Sequence, residues 1–68
     1  MSYDADLLRE GGEAAQAVAI DYIQRGVTPK LLKQAYDTGT ARELPEKLGV
    51  KARVITALAR RWGIRKYQ

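Results

Sequence analysis

The chain contains no histidine and no cysteine, and each absence excludes a kind of chemistry. Without cysteine, neither a disulfide framework nor a cysteine-based zinc site is available. Without histidine, the commonest metal ligand and the commonest acid–base catalyst are missing. The remaining carboxylates, such as Glu10 and Glu13, are scattered and have no shaped site around them. We therefore predict that the protein is not an enzyme and has no catalytic residue, metal, cofactor or small-molecule substrate.

The sequence also lacks a long apolar run and any alternation that would predict strands. The longest stretch with few polar residues, residues 14–23, is too short to span a bilayer and contains Asp21. The first residues are acidic, without the basic region and apolar segment of a signal peptide. We expect a cytoplasmic protein with no membrane partner.

Charge is distributed unevenly along the chain. Residues 1–25 carry five acids and two bases, whereas residues 26–68 carry ten bases and three acids. The last 18 residues hold six bases and no acid. This asymmetry is typical of a protein whose basic side binds phosphate groups. A basic tail that only aids solubility is the alternative interpretation.

Helix start and stop residues divide the chain into short helices. Thr28 and Pro29 have the N-cap and first-turn positions of a helix that should end at Gly39. At this length a single domain is expected. We predict one all-α domain, a small bundle of four to five short helices: a short helix or flexible arm at 1–12, an Ala-rich helix at 13–26, a tri-helical core at 28–62 and a basic tail at 63–68.

The Ala-rich helix is apolar on more than one side. Ile20 and Ala17 fall outside its broad apolar face, and Ile23 lies at the margin of that face. The face is formed by Ala14, Ala15, Val18, Ala19 and Tyr22. A helix that is apolar on two sides buries two sides, and a small domain without disulfides often depends on association. Either the two isoleucines form a homodimer contact, or the segment before Gly11 folds back over them.

The central part of the chain predicts two short helices joined by a tight turn. Thr40 and Glu43 have the spacing of a capping box, which would start the first helix. Gly49 can take the positive φ at which that helix stops. Pro45 falls inside the first helix, where it lacks an N–H. We predict a kinked or 3₁₀-like first turn; the alternative starts the helix just before the proline.

The second helix of the pair, residues 51–62, separates its residue types by face. Val54, Ile55, Leu58 and Trp62 fall within one arc of about 100°, the width of a core-facing stripe. A helix with one apolar and one basic side suits the major groove of DNA, but a solvated face on an ordinary bundle helix has the same pattern. The side opposite the stripe carries Arg53, Thr56 and Arg60.

The pattern of Leu44, Leu48-Gly49-Val50, Ile55 and Leu58 resembles the helix-turn-helix core of the phage Cro and repressor proteins and of many small bacterial regulators. It covers under a third of the chain, and Pro45 stands where that family usually has a small residue. In the family, residues just after the turn and one helical turn further on face the bases. Carried over to this sequence, those positions are Lys51, Ala52, Arg53, Thr56, Ala57 and Arg60.

The resemblance and the charge pattern together predict sequence-specific binding to double-stranded DNA by a dimeric transcriptional regulator of the phage repressor or excisionase type, located at the nucleoid when bound. Arg53, Thr56 and Arg60 would face base edges, and the helix starting at Thr40 would offer backbone N–H groups to phosphate. The alternatives are an adaptor that uses the basic helix against an acidic protein, and an architectural protein indifferent to sequence. The full set of predicted DNA-binding residues is Thr40, Arg42, Lys47, Lys51, Arg53, Thr56, Arg60, Arg61, Arg65 and Lys66.

Overall fold

A computed structural model describes residues 3–64, and over those residues the regular structure is helical throughout. The prediction of a small all-α bundle is confirmed. Within the same residues, no helix combines the length and the apolar character needed to cross a bilayer. The elements are α1 (Tyr3–Glu10), α2 (Gly12–Gln24), α3 (Pro29–Thr38), a 3₁₀ turn (Ala41–Glu43), α4 (Leu44–Leu48) and α5 (Ala52–Arg61).

The amino-terminal helix is part of the core. α1 packs against both α2 and α5. Ala5 and Leu8 are buried in the same cluster as Ala19 and Tyr22 of α2. The Tyr22 hydroxyl also donates a hydrogen bond to the Asp4 carboxylate, which links the two helices. The core therefore extends beyond the tri-helical part predicted for residues 28–62.

α5 is the helix on which the others converge, since α1, α3 and α4 all contact it. Val54 and Ile55 are buried, and Leu58 is completely inaccessible to solvent, as its apolar stripe predicts. Ala57 and Ala59 are buried as well. The expectation that Ala57 faces bases is therefore wrong. The reason is that three helices cover α5, so the buried arc is wider than the stripe of large apolar residues.

The predicted start of α3 is confirmed. Thr28 has extended backbone angles, and its Oγ1 accepts a hydrogen bond from the Leu31 N–H at 3.1 Å. Pro29 occupies the first turn, where its missing N–H leaves no helical bond unmade. The cap and the proline together fix where the chain leaves the loop after α2.

Four helices end in the same way: a glycine follows the helix, and the N–H of the next residue donates to a carbonyl of that helix. After α4, Gly49 takes φ 67°, a left-handed conformation that costs glycine little. The next N–H, that of Val50, donates to the Pro45 carbonyl at 3.0 Å. This closes the helix with backbone groups alone. The equivalent bonds after α2, α3 and α5 are made by the N–H groups of Val27, Thr40 and Ile64.

The capping box predicted from Thr40 and Glu43 does not form. Such a box needs the Thr40 backbone N–H for the glutamate side chain, but that N–H already donates to the Ala35 carbonyl at 2.8 Å. The Thr40 hydroxyl makes no cap bond and lies 3.0 Å from the Thr38 hydroxyl. Residues 41–43 form the 3₁₀ turn, and Pro45 lies in the first turn of α4. The 3₁₀-like turn is thus present, and the α-helix itself starts at Leu44, just before the proline, as the alternative predicted. The predicted cap is wrong.

The two threonines provide a matched test of helix capping. Thr28→Ala should lower the free energy of unfolding by about 1 kcal/mol, because the Leu31 N–H loses its acceptor. Thr40→Ala should cost clearly less, because it removes only an exposed contact between two hydroxyls. Urea denaturation of both variants measures the difference. Equal losses would show that Thr40 also caps a helix.

The bond between α1 and α2 predicts a stability change at high pH. Burial, together with the hydrogen bond to Asp4, raises the pKa of Tyr22 from 10.0 to about 12. The folded protein therefore holds this proton where the unfolded chain releases it, and the free energy of unfolding falls as pH rises from 10 towards 12. Tyr22→Phe should be less stable at neutral pH but should lose less stability over that range. Urea titrations of both proteins provide the comparison, and identical pH slopes would contradict it.

Candidate nucleic-acid interface

The outer face of α5 carries Arg53, Thr56 and Arg60, and all three are exposed. They are three and four residues apart, so they lie on successive turns of one helix face. The opposite side of α5 is packed into the core. The structure therefore brings together the three side chains that the sequence predicts to face base edges.

The connection from α4 to α5 fixes the position of this face. Gly49 ends α4, and Lys51 precedes α5 with extended backbone angles. Leu44 and Val50, which flank the short helix, are both buried in the core. α4 and α5 are therefore two packed helices joined by a three-residue connection.

The cations around α5 have no carboxylate partner among residues 3–64. The ion pair found in that part of the chain joins Arg25 to Asp21 on α2, with an N···O distance of 3.0 Å. Residues 47–64 contain no acid. Binding an anion to this surface would not require any ion pair within residues 3–64 to break. The exposed cations concerned are Arg42, Lys47, Lys51, Arg53, Arg60 and Arg61.

Some of the predicted DNA-binding residues lie elsewhere. Arg61 is exposed on α5 and borders a shallow depression formed with α2, whose lining does not include Arg53 or Arg60. Thr40 is exposed, but its backbone N–H is occupied by the Ala35 carbonyl and it precedes a 3₁₀ turn of three residues. Thr40 can therefore offer a hydroxyl to phosphate but not the free helix start that was expected. The predicted contacts Arg65 and Lys66 lie outside the described residues.

An open groove of about 1000 Å³ runs beside the outer face of α5. Ala52, Thr56 and Arg60 line one side, and Arg42 of the 3₁₀ turn lines it as well. Burial raises the pKa of Tyr36, which lines the groove. The sequence analysis missed this groove because its apolar residues come from several separate elements. Each of them is either half-buried or buried, so none stands out as an exposed apolar residue. Those apolar residues are Tyr36, Ala41, Pro45, Ile55, Ala59 and Ile64.

A second apolar surface lies on α2. Ile20 and Ile23 are 46% and 38% exposed, although α1 packs against the same helix. α1 covers the side of α2 that carries Ala19 and Tyr22, so the alternative in which it covers the two isoleucines is wrong. Half-buried Trp62 lies in the same shallow depression as Ile20 and Ile23. The structure thus leaves the predicted dimer contact open to solvent.

No protein-family model, curated protein or solved structure matches this chain.

Proposed function

We propose that the protein binds double-stranded DNA with the outer face of α5 in the major groove. The observation that carries the proposal is the set of Arg53, Thr56 and Arg60, which is exposed and has no ion-pair partner among residues 3–64, on a helix whose opposite side is buried. An α-helix with its side chains is about 10–12 Å across and fits a major groove about 12 Å wide. Arginine recognises guanine there through two hydrogen bonds.

The surrounding cations complete this interface. Arg42, Lys47 and Lys51 are exposed on the elements that lead into α5 and would contact the phosphate backbone. Such contacts position a protein on DNA, whereas contacts to base edges provide the sequence preference. In this arrangement the protein is a transcriptional regulator that resembles the phage Cro, repressor and excisionase proteins.

We further propose that the protein acts as a homodimer. A single helix in one major groove makes few base contacts, and two copies related by a two-fold axis double them. Ile20 and Ile23 are the large apolar side chains exposed on the described part of the surface. Their burial against a second copy removes apolar area from water, which favours association.

The DNA-binding proposal predicts different effects for the arginines and a nearby lysine. Arg53→Ala and Arg60→Ala should each weaken the preferred sequence by about 1–3 kcal/mol and relax specificity at one position. Lys47→Ala should weaken binding to all DNA sequences alike, and it should reduce the slope of log affinity against log salt concentration by about one. Lys30→Ala, which removes an exposed lysine of α3, is the control for loss of one positive charge. Fluorescence anisotropy on a duplex selected from a random pool gives the affinities.

The selection itself separates the alternatives. Enrichment of a palindromic sequence supports a dimeric regulator. Salt-dependent retention without enrichment would indicate an architectural protein, and no retention at low salt would exclude DNA binding by this surface. Arg53 and Arg60 are exposed and have no ion-pair partner among residues 3–64. Replacing either of them by alanine should therefore change the thermal unfolding temperature little.

The dimer contact has its own matched pair of variants. Ile20→Asp places a charge on the exposed apolar surface of α2 and should shift the protein to a monomer, because a carboxylate would have to be buried. Ala14→Asp adds the same charge to an exposed position near the start of α2 and should leave association unchanged. Sedimentation equilibrium measures both. A wild-type protein that stays monomeric at high concentration would contradict the proposed dimer.

A further inference from the structure

The groove beside α5 has a lining that phosphate contacts do not explain. Tyr36, Ile55 and Ile64 contribute apolar surface to it, whereas a surface for the DNA backbone needs hydrogen-bond donors and cations. Tyr36 and Ile64 are only half-buried, so part of this apolar surface meets solvent. An apolar depression bordered by polar residues marks an interaction site on a small domain.

The shape of the groove suits an elongated ligand. The residues of α5 that line it run from Ala52 to Arg60, which is about 12 Å along the helix axis at 1.5 Å per residue. This length matches two turns of a partner helix, whose apolar anchors recur at intervals of three and four residues. Ala52 and Ala59 have short side chains, which leaves room for the anchors of a partner.

The charged residues at the groove indicate which side chains should flank the apolar stripe of such a partner helix. Arg42 and Arg60 line the groove, and no acidic residue among residues 3–64 does. Both arginines are exposed and have no carboxylate partner among residues 3–64. Charge-assisted bonds from arginine to carboxylate are among the stronger polar contacts available to a surface.

We propose that this groove binds an amphipathic helix of a partner protein, with apolar side chains in the groove and acidic side chains paired with Arg42 and Arg60. The partner is thus defined by an apolar stripe two turns long with glutamate or aspartate on either side of it.

The two binding surfaces overlap. Arg60 and Thr56 line the groove and also belong to the outer face of α5, whereas Arg53 does not line the groove. An acidic helix in the groove would therefore exclude DNA from α5 and act as a regulator. This consequence rests on the proposed DNA binding, but helix binding itself does not.

The test uses the full chain and a fluorescent synthetic helical peptide with leucines at i, i+3, i+4 and i+7 and glutamates elsewhere. We expect the peptide to bind, and we expect weaker binding when lysine replaces glutamate or when the sequence is scrambled. Arg42→Glu should weaken binding by at least about tenfold, since it reverses a charge that faces the carboxylates. Arg53→Glu, the same change on the same surface but outside the groove, should leave peptide affinity within about twofold of the wild type.

Amide chemical shifts locate the peptide on the protein. We expect the largest changes at Ala41, Ile55 and Ile64. Three outcomes would each overturn the proposal. The first is a set of shift changes concentrated at Ile20 and Ile23, and the second is equal binding of the lysine and glutamate peptides. The third is an equal effect of Arg42→Glu and Arg53→Glu on peptide affinity. Self-association of the wild type that Arg42→Glu abolishes would also overturn it, because the occupant of the groove would then be a second copy of the chain.

A competition experiment separates this inference from the proposed function. The selected DNA duplex should displace the peptide from the wild-type protein. Arg53→Glu should bind peptide but lose DNA, and Arg42→Glu should lose peptide. Peptide binding without any DNA binding would leave the groove assignment standing and remove the proposed function, whereas DNA binding without peptide binding would do the reverse.

Discussion

The burial of α5 by three helices at once is the constraint on which the rest of the structure depends. Leu58 is completely enclosed, and Val54, Ala57 and Ala59 are buried around it. α1, α3 and α4 each contact this helix, which leaves Arg53, Thr56 and Arg60 exposed on its outer face. Among residues 3–64, no other helix has as many buried residues as α5. The position of the exposed arginines is therefore a direct result of how the core is filled.

Local signals predicted those parts of the fold that neighbouring residues decide. The start of α3 is set by Thr28 and Pro29, and the end of α4 is set by the glycine after Leu48. Both depend on hydrogen bonds between residues only a few positions apart. The capping box at Thr40 was wrong because two local motifs required the same N–H, and the glycine motif that ends α3 uses it. A rule applied to four residues does not reveal that competition.

Features that depend on distant contacts were less predictable. Ala57 was assigned to the base-facing positions through the family resemblance, which does not show that α1, α3 and α4 together cover α5 and bury this residue. The groove was missed because Tyr36, Pro45 and Ile64 belong to separate segments. Ile20 and Ile23, in contrast, were found from sequence because they fall off the face that the rest of α2 buries.

The ends of the helices have a consequence for how such a protein can change over time. α2, α4 and α5 close on glycines and backbone bonds, without a polar side chain. Arg53, Thr56 and Arg60 make no side-chain hydrogen bond or ion pair between residues 3 and 64. The outer face of α5 is thus free to vary in evolution without loss of the fold. Related chains with new residues at these three positions would keep the same bundle and present a different surface on α5.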